Sequence, residues 1–428
     1  MSPGGVLVGE ITVPGDKSIS HRAVLFGALA EGVTTVEGFL ESEDCLATLR
    51  AMQAMGVSIE RPGSGQVIVH GVGLRGLKAP QAALDMGNAG TAMRLSMGLL
   101  AGQSFDSTLI GDPSLSRRPM ERAAAPLRLM GAQIVTTEGK PPVRVQGGTS
   151  LQGIDYALSV PSAQVKSAIL IAGLYATGTT TVHERAITRD HTERMLRAFG
   201  VPVISGRGFV SLEGPARLSA TPVQVPGDIS SAAFFLVAAT LAAQGTFKIL
   251  NVGMNPTRIG VIEILRLMGA DIRVERERLL GDEPVADLCV RAAPLNGIDI
   301  PAHLVPLAID EFPVLFVAAA CARGTTVVSG ASELKVKESD RLQVMAEGLT
   351  ALGIHAQASA EGMRIEGGVL RSGRVDSHGD HRIAMAFAVA ALRAEGDIEI
   401  VDVANVATSF PSFAGLARGV GFGLHVIP

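Results

Sequence analysis

The chain has 428 residues, a formal net charge of -4, 4% aromatic residues and no Trp. At roughly 100–200 residues per domain, that length suggests two compact units, and without a basic run or interleaved aromatics nothing supports nucleic-acid or membrane-surface binding. Three Cys (Cys45, Cys289, Cys321) with no CxxC spacing argue against a disulfide framework and a zinc site. The opening MSPGGVLVGEITVPG carries no basic-then-apolar signal segment, so a reducing, cytoplasmic setting is expected. Mean hydropathy is high at +0.33. The longest apolar stretches, such as Ala232 to Ala243, nevertheless run only about a dozen residues where a bilayer needs roughly 20. They are expected to be core helices, apolar all round because they are covered all round.

Along the chain one pattern recurs. It begins with VPGDKSISHRAVLFGALAEG from Val13, where Pro and Gly make a turn and Asp16 caps an Ala-rich helix. A β-branched strand phrase follows, GVTTVEG from Gly32, and then LRAMQAMGVSI, whose apolar spacing predicts an amphipathic helix ended by a glycine C-cap. The strand phrase returns as QSFDSTLIG from Gln103, GTTTVHE from Gly178, GTFKILN from Gly245, GTTVVSG from Gly324 and GDIEIVD from Gly396, roughly 70–80 residues apart. The helix phrase returns as LRLMGAQI, MLRAFGVPV, ILRLMGADI, LTALGIHA and, most degraded, LARGVGFGLHV. Each copy therefore reads as a buried helix, a strand, an amphipathic helix and further strands. The second VPGD, at Val225, starts the fourth copy and is a candidate domain crossover.

The starts of the buried helices carry the chemistry: DKSISHR at Asp16, GNAGTAMR at Gly87, PSAQVKSA at Pro161, GDISSAAF at Gly227, IDEFPVLF at Ile309 and GDHRIAMA at Gly379. Helix N-termini offer free N–H groups and a partial positive charge, which suits anions. Cations in a first helical turn oppose that dipole unless an anion joins them, so Lys17 and Arg22 suggest a bound anion, while His21 reads as structural. Arg117 and Arg118 precede Pro119, expected at the first position of a helix, and suit bidentate oxyanion contacts. Asp310 and Glu311 face an apolar segment where a carboxylate is costly without a role, and a helix cap would explain one of them. KVKESDR gathers Lys335, Lys337, Glu338, Asp340 and Arg341 at a helix start, with a solvated charged face as the competing reading. No Ser–His–Asp set, Walker loop or Rossmann fingerprint is present.

The motifs PGDKSISHR, GNAGTAMR, RRPM, PSAQVKSA, TRDHTERML, KVKESDR, GDHRIAMA and TSFP, in this order over nearly the whole chain, resemble the 5-enolpyruvylshikimate-3-phosphate synthases, closest to their divergent second class. The resemblance implies a two-domain inside-out α/β barrel, each domain three βαβαββ units with buried inner helices. Residues 1–14 plus 228–428 would form one domain and 15–227 the other, with a hinge near 13–16 and 225–228. It implies transfer of the enolpyruvyl group of phosphoenolpyruvate to shikimate 3-phosphate by a monomer that needs no cofactor or metal. Lys17 would meet both substrates. Ser18, Arg22, Ser162, Ala163, Gln164, Arg189, Asp310 and Lys337 would hold shikimate 3-phosphate. Asn88, Gly90, Arg118, Gln164, Arg341 and Arg382, helped by Lys337, would hold phosphoenolpyruvate. Lys17, Asp310 and Glu338 would be catalytic, Glu338 protonating the methylene carbon, with all three candidates for deprotonating the attacking hydroxyl.

Two positions depart from the common family pattern. A phosphate-contacting Ser pair stands here as Ser162–Ala163, and Thr408 occupies the place of a lysine that contacts phosphoenolpyruvate, as in the divergent class. Gly90 is unsubstituted, which favours sensitivity to glyphosate. The sister transferase acting on UDP-N-acetylglucosamine is disfavoured. It has Lys–Asn where this chain has Lys17–Ser18, and a reactive Cys or Asp in the loop that here reads GDPSLSRRP. A noncatalytic anion-binding repeat protein would explain the helix starts but not Asp310 and Glu338.

Overall fold

The computed structural model describes residues 1–4, 7–242 and 245–427. Among them are twelve α-helices, and they alternate in character along the chain. The odd members are α1 (Lys17–Leu29), α3 (Gly90–Leu100), α5 (Ala163–Gly173), α7 (Ile229–Leu241), α9 (Phe312–Ala320) and α11 (His381–Ala390). These are the largely buried helices that open each copy, and every residue of α7, α9 and α11 is buried. The apolar run read as Ala232 to Ala243 is α7, which ends at Leu241; Ala243 lies outside the described residues. Asp16, Ser162, Asp228 and Asp380 cap α1, α5, α7 and α11 through side-chain oxygens that accept backbone N–H bonds.

The even members are α2 (Glu43–Ala54), α4 (Glu121–Leu129), α6 (His191–Ala198), α8 (Gly260–Leu267), α10 (Arg341–Ala351) and α12 (Phe413–Gly419), each following a strand phrase. All six end near a glycine with positive φ: Gly56, Gly131, Gly200, Gly269, Gly353 and Gly421, between 85° and 107°. That left-handed conformation is the C-terminal stop that a Cβ would disfavour.

The sheets show how the repeat is wired. Within the second, third and sixth copies, the odd helix crosses over between two parallel strands: Leu84–Asp85 beside Ser107–Ile110, Asp155–Ala157 beside Gly178–His183, and Gly373–Asp376 beside Ile398–Val401. The two copies that open on VPGD exchange this first strand. Gly9–Thr12, which precedes α1, pairs in parallel with Thr246–Gly253, which follows α7. Val223–Gln224, which precedes α7, pairs with Glu31–Glu37, which follows α1. Among the described residues the sixth copy shows no closing hairpin; after α12, Gly423 instead makes an antiparallel bridge to Ser2.

The chain divides into two compact units. One comprises Met1–Pro14, Pro226–Leu279 and Glu283–Pro428, of which residues 5, 6, 243, 244 and 428 lie outside the described set; the other comprises Gly15–Val225 with Leu280–Asp282. Each has its own apolar core. In the first unit α7, α9 and α11 pack with Phe235, Phe247, Phe410 and Phe413. In the second, α1, α3 and α5 pack with Phe26 and Phe199. Fully burying such side chains contributes about 1.5–3 kcal/mol each, so the Ala-rich helices are held by tertiary cover. No described helix is long and apolar enough to cross a membrane.

Candidate active-site residues

In the second unit the N-terminal ends of α1, α3 and α5 carry the cations and amides singled out by the sequence. Arg22 is 3% exposed. Its Nε donates to Thr192 Oγ1 at 2.7 Å, one terminal nitrogen to Ser18 O at 2.9 Å and the other to Ser167 Oγ at 2.8 Å. Ser167 and Thr192 also bond each other at 2.7 Å, so the guanidinium is fixed from α5 and α6. Lys17 pairs with Asp44 at 3.0 Å. His21 turns Nδ1 to Thr48 Oγ1 at 2.7 Å, away from the helix start. Burial and the positive charges of Lys17 and Arg22 hold its pKa well below the usual imidazole value, in keeping with the structural reading.

A second group sits on α3 and its flanking loops. Arg118 donates to Asn88 Oδ1 at 2.6 Å, and Asn88 Nδ2 donates to Asp112 Oδ2 at 2.7 Å. Arg94, on α3, donates to Gln164 Oε1 and to Pro119 O, and Gln164 Nε2 donates to Thr91 Oγ1 at 2.9 Å. The close approach of α3 and α5 permits this reach: a methyl at Gly98 would lie 2.2 Å from Ala168 O, so only glycine fits there. A methyl at Gly90 would lie 3.2 Å from terminal nitrogens of both Arg118 and Arg94. Asn88, Gly90, Arg118 and Gln164 therefore form one cluster, with Arg94 at its centre. Pro119 does not take the first helical position: α4 begins at Glu121 with Met120 as its N-cap residue, and the carbonyl of Pro119 serves Arg94 instead.

Ser162 caps α5 and Ala163 is its first residue, both half-buried. Arg189 is half-buried on the loop between the strand Gly178–His183 and α6. That loop is fastened at both ends by Lys166, 1% exposed, whose Nζ lies 2.9 Å from Glu184 Oε1 and 2.7 Å from Glu193 Oε1. Burial opposes the ammonium charge, but Glu193 and Glu184 outweigh it and raise the Lys166 pKa. A shallow groove of about 430 Å³ in this unit is lined by Ala47, Arg50, Ala51, Leu84, Asp85 and neighbours. It contains none of the candidate substrate-binding residues, and half of its lining is alanine.

In the first unit Arg341 is the centre. It is 1% exposed and meets three carboxylates: Nε lies 2.8 Å from Asp380 Oδ2, NH1 lies 3.5 Å from Asp310 Oδ1, and NH2 bonds Glu338 Oε2. Burial works against the charge, yet Asp380, Glu338 and Asp310 prevail and push its pKa above the ordinary arginine value. Lys337 Nζ lies 3.2 Å from the same Asp310 oxygen. Arg382, one residue into α11, donates to Asp310 O at 2.8 Å. Asp310, Lys337, Glu338, Arg341 and Arg382 are thus one cluster. Neither Asp310 nor Glu311 caps α9 with its side chain: Glu311 occupies the N-cap position but accepts a hydrogen bond from Ser230 instead. Thr408 ends the 3₁₀ turn Ala404–Thr408, its hydroxyl donating to Asn405 O at 2.7 Å, and Asn405 in turn donates to Gly379 O at 2.6 Å beside the α11 start.

Several partners had no place among the candidates. Asp44 looks in sequence like any acidic residue in a first helical turn, and Ser167 and Thr192 like helix polar residues. Asp380 stood in GDHR, but only the fold aims it at Arg341. The described side chains supply clustered guanidinium groups for oxyanions in both units, and two carboxylates, Asp310 and Glu338, held against one of those cations.

Comparison with known proteins points to one family. Residues 1–416 match the family model described as EPSP synthase (3-phosphoshikimate 1-carboxyvinyltransferase). A 3-phosphoshikimate 1-carboxyvinyltransferase of Methylococcus capsulatus is 61% identical over 425 residues, covering 99% of this chain and 97% of the relative. One of Alkalilimnicola ehrlichii is 62% identical over 424 residues, covering 99% and 95%. The solved EPSP synthase of Acinetobacter baumannii superposes with a TM-score of 0.89 at 55% identity, covering 100% of this chain and 99% of that one. With a family model over nearly its full length and relatives near 60% identity, the chain belongs to the EPSP synthase family.

Proposed function

We propose that the protein transfers the enolpyruvyl group of phosphoenolpyruvate to the 5-hydroxyl of shikimate 3-phosphate and releases phosphate, a reading supported by relatives named 3-phosphoshikimate 1-carboxyvinyltransferase. The observation that carries the mechanism is the sharing of Arg341 by Asp310 and Glu338. An acid and a base are held beside a cation suited to an anionic substrate. Arg341 and Arg382, and Arg118 with Asn88 and Gln164, would take the phosphate and carboxylate of phosphoenolpyruvate. Arg22, Ser18, Ser162 and Arg189 would take shikimate 3-phosphate, and Lys17 would serve both.

The chemistry then runs by addition and elimination. Glu338 gives a proton to C3 of phosphoenolpyruvate, C2 gains oxocarbenium character, and the 5-hydroxyl adds there as its proton passes to a base such as Asp310 or Lys17. The tetrahedral intermediate loses phosphate as a proton leaves C3, restoring the double bond. The guanidinium groups offset substrate charge that would otherwise repel both carboxylates. A cytoplasmic location follows from this role in small-molecule biosynthesis.

The deciding experiment is phosphate release from phosphoenolpyruvate with either shikimate 3-phosphate or UDP-N-acetylglucosamine as acceptor. Release with the first alone is expected; release with the second alone would select the sister transferase, and release with neither would remove the assignment. Glu338→Ala should keep substrate binding and lose turnover, which a noncatalytic anion binder would not do.

A further inference from the structure

The first unit contains a second buried polar chain that the mechanism above leaves unused. Arg258, on the segment before α8, is 3% exposed. One of its terminal nitrogens donates to Asp228 Oδ1 at 3.0 Å and to Ser230 Oγ at 2.5 Å. The hydroxyl of Ser230 donates to Glu311 Oε1. Glu311 is 2% exposed, and that same carboxylate oxygen lies 3.7 Å from Arg382 NH1, the nitrogen that donates to Asp310 O at 2.8 Å. A loop and the starts of α7, α9 and α11 are joined in one line that ends on a guanidinium expected to meet substrate.

The direction of the line is fixed by its donors. A guanidinium only donates and an ionised carboxylate only accepts, so the single Ser230 proton must go to Glu311 while its lone pair receives Arg258. Bonds arranged head to tail polarise one another, which strengthens the hold on Glu311. A carboxylate this buried is costly unless paired, and its cationic neighbour is Arg382. Asp380 backs Arg341 more tightly, through two hydrogen bonds, whereas Glu311 and Arg382 form an ion pair at 3.7 Å.

We propose that Arg258, Ser230 and Glu311 are positioning residues that fix the Arg382 guanidinium in the orientation that binds phosphoenolpyruvate. The proposal rests on the reading that Arg382 contacts this substrate, and the test separates the two. The KM for each substrate and kcat are measured with the full chain for Glu311→Gln, Ser230→Ala and Arg382→Lys. Glu311→Gln keeps the size and the Ser230 bond but removes the charge. It should raise the KM for phosphoenolpyruvate about tenfold, with kcat and the KM for shikimate 3-phosphate changed less than about threefold. Ser230→Ala should shift the same KM by a smaller factor, and it decides the matter if Glu311→Gln does not fold. An unchanged KM for phosphoenolpyruvate, or an equal rise in both KM values as general loosening would give, overturns the proposal. If Arg382→Lys itself leaves the KM for phosphoenolpyruvate unchanged, the reading of Arg382 fails, and the positioning role with it.

Discussion

Asp380 holds Arg341 by two edges at once: Nε lies 2.8 Å from Oδ2 and NH2 lies 3.3 Å from Oδ1, with side chains 0% and 1% exposed. The same aspartate caps α11 through the backbone N–H of Arg382, so one carboxylate holds the Arg341 guanidinium and the start of the helix that carries Arg382. Asp380→Asn should preserve the helix cap and weaken the guanidinium contact. The expected result is a loss in kcat/KM for phosphoenolpyruvate of about tenfold or more, with the far-ultraviolet circular dichroism spectrum unchanged. Steady-state kinetics at fixed saturating shikimate 3-phosphate checks it.

Arg22 is held by three donor bonds, to Thr192, Ser18 and Ser167. Lysine has a single nitrogen at its tip and cannot span these planar, divergent partners. Arg22→Lys should therefore raise the KM for shikimate 3-phosphate by about 10- to 100-fold while the KM for phosphoenolpyruvate moves much less. Calorimetric titration with shikimate 3-phosphate alone would show the weakened binding directly.

Gly90→Ala would put a methyl 3.2 Å from terminal nitrogens of Arg118 and Arg94. Both are ends of flexible side chains, so the contact should be relieved by displacing them, with a stability cost below about 1.5 kcal/mol. The displacement falls on the group assigned to phosphoenolpyruvate, and its KM should rise about tenfold with little change in melting temperature. An unaltered KM would place Arg118 outside that group.

Lys166→Met would leave Glu184 and Glu193 buried without their shared cation. Breaking a buried pair in this way costs about 3–5 kcal/mol, read as a lower midpoint in thermal or denaturant unfolding. Adding Glu184→Gln and Glu193→Gln should recover part of the loss. Recovery identifies stranded charge, and not lost packing, as the cause.

His21 gives a pH signature. Its folded pKa lies well below the value near 6.5 of the unfolded chain, so below that pH the unfolded state binds more protons. The stability it contributes is intact above about pH 6.5 and falls as pH drops, by at most about 1.4 kcal/mol per unit. His21→Gln should flatten the melting temperature between pH 7 and pH 5 relative to the parent. Equal slopes in the two proteins would contradict the buried neutral imidazole.

The sixfold repeat was legible in the sequence because each copy repeats local rules. An Ala-rich segment without a polar face must be covered, a β-branched phrase must be extended, and a glycine after an amphipathic run stops a helix in the left-handed region. Those rules act over a few residues, and they place α1 to α12, the Asp16 and Asp228 caps and the six positive-φ glycines. They also placed the charged residues at one end of the inner helices, where family resemblance could attach roles to them.

What spacing cannot express is which charge faces which. The carboxylate behind Lys17 comes from 27 positions away and the hydroxyl behind Arg22 from 170. Arg258 reaches the VPGD aspartate from 30 positions away, although VPGD itself carries no cation. The exchange of Gly9–Thr12 and Val223–Gln224 between the sheets that follow α7 and α1 is likewise a choice of partner, Gly9 with Phe247 and Val223 with Val36, made far along the chain. Local sequence sets dihedral preferences and apolar faces, whereas ion pairs and strand partners are selected by three-dimensional proximity, which exists only once those faces have packed.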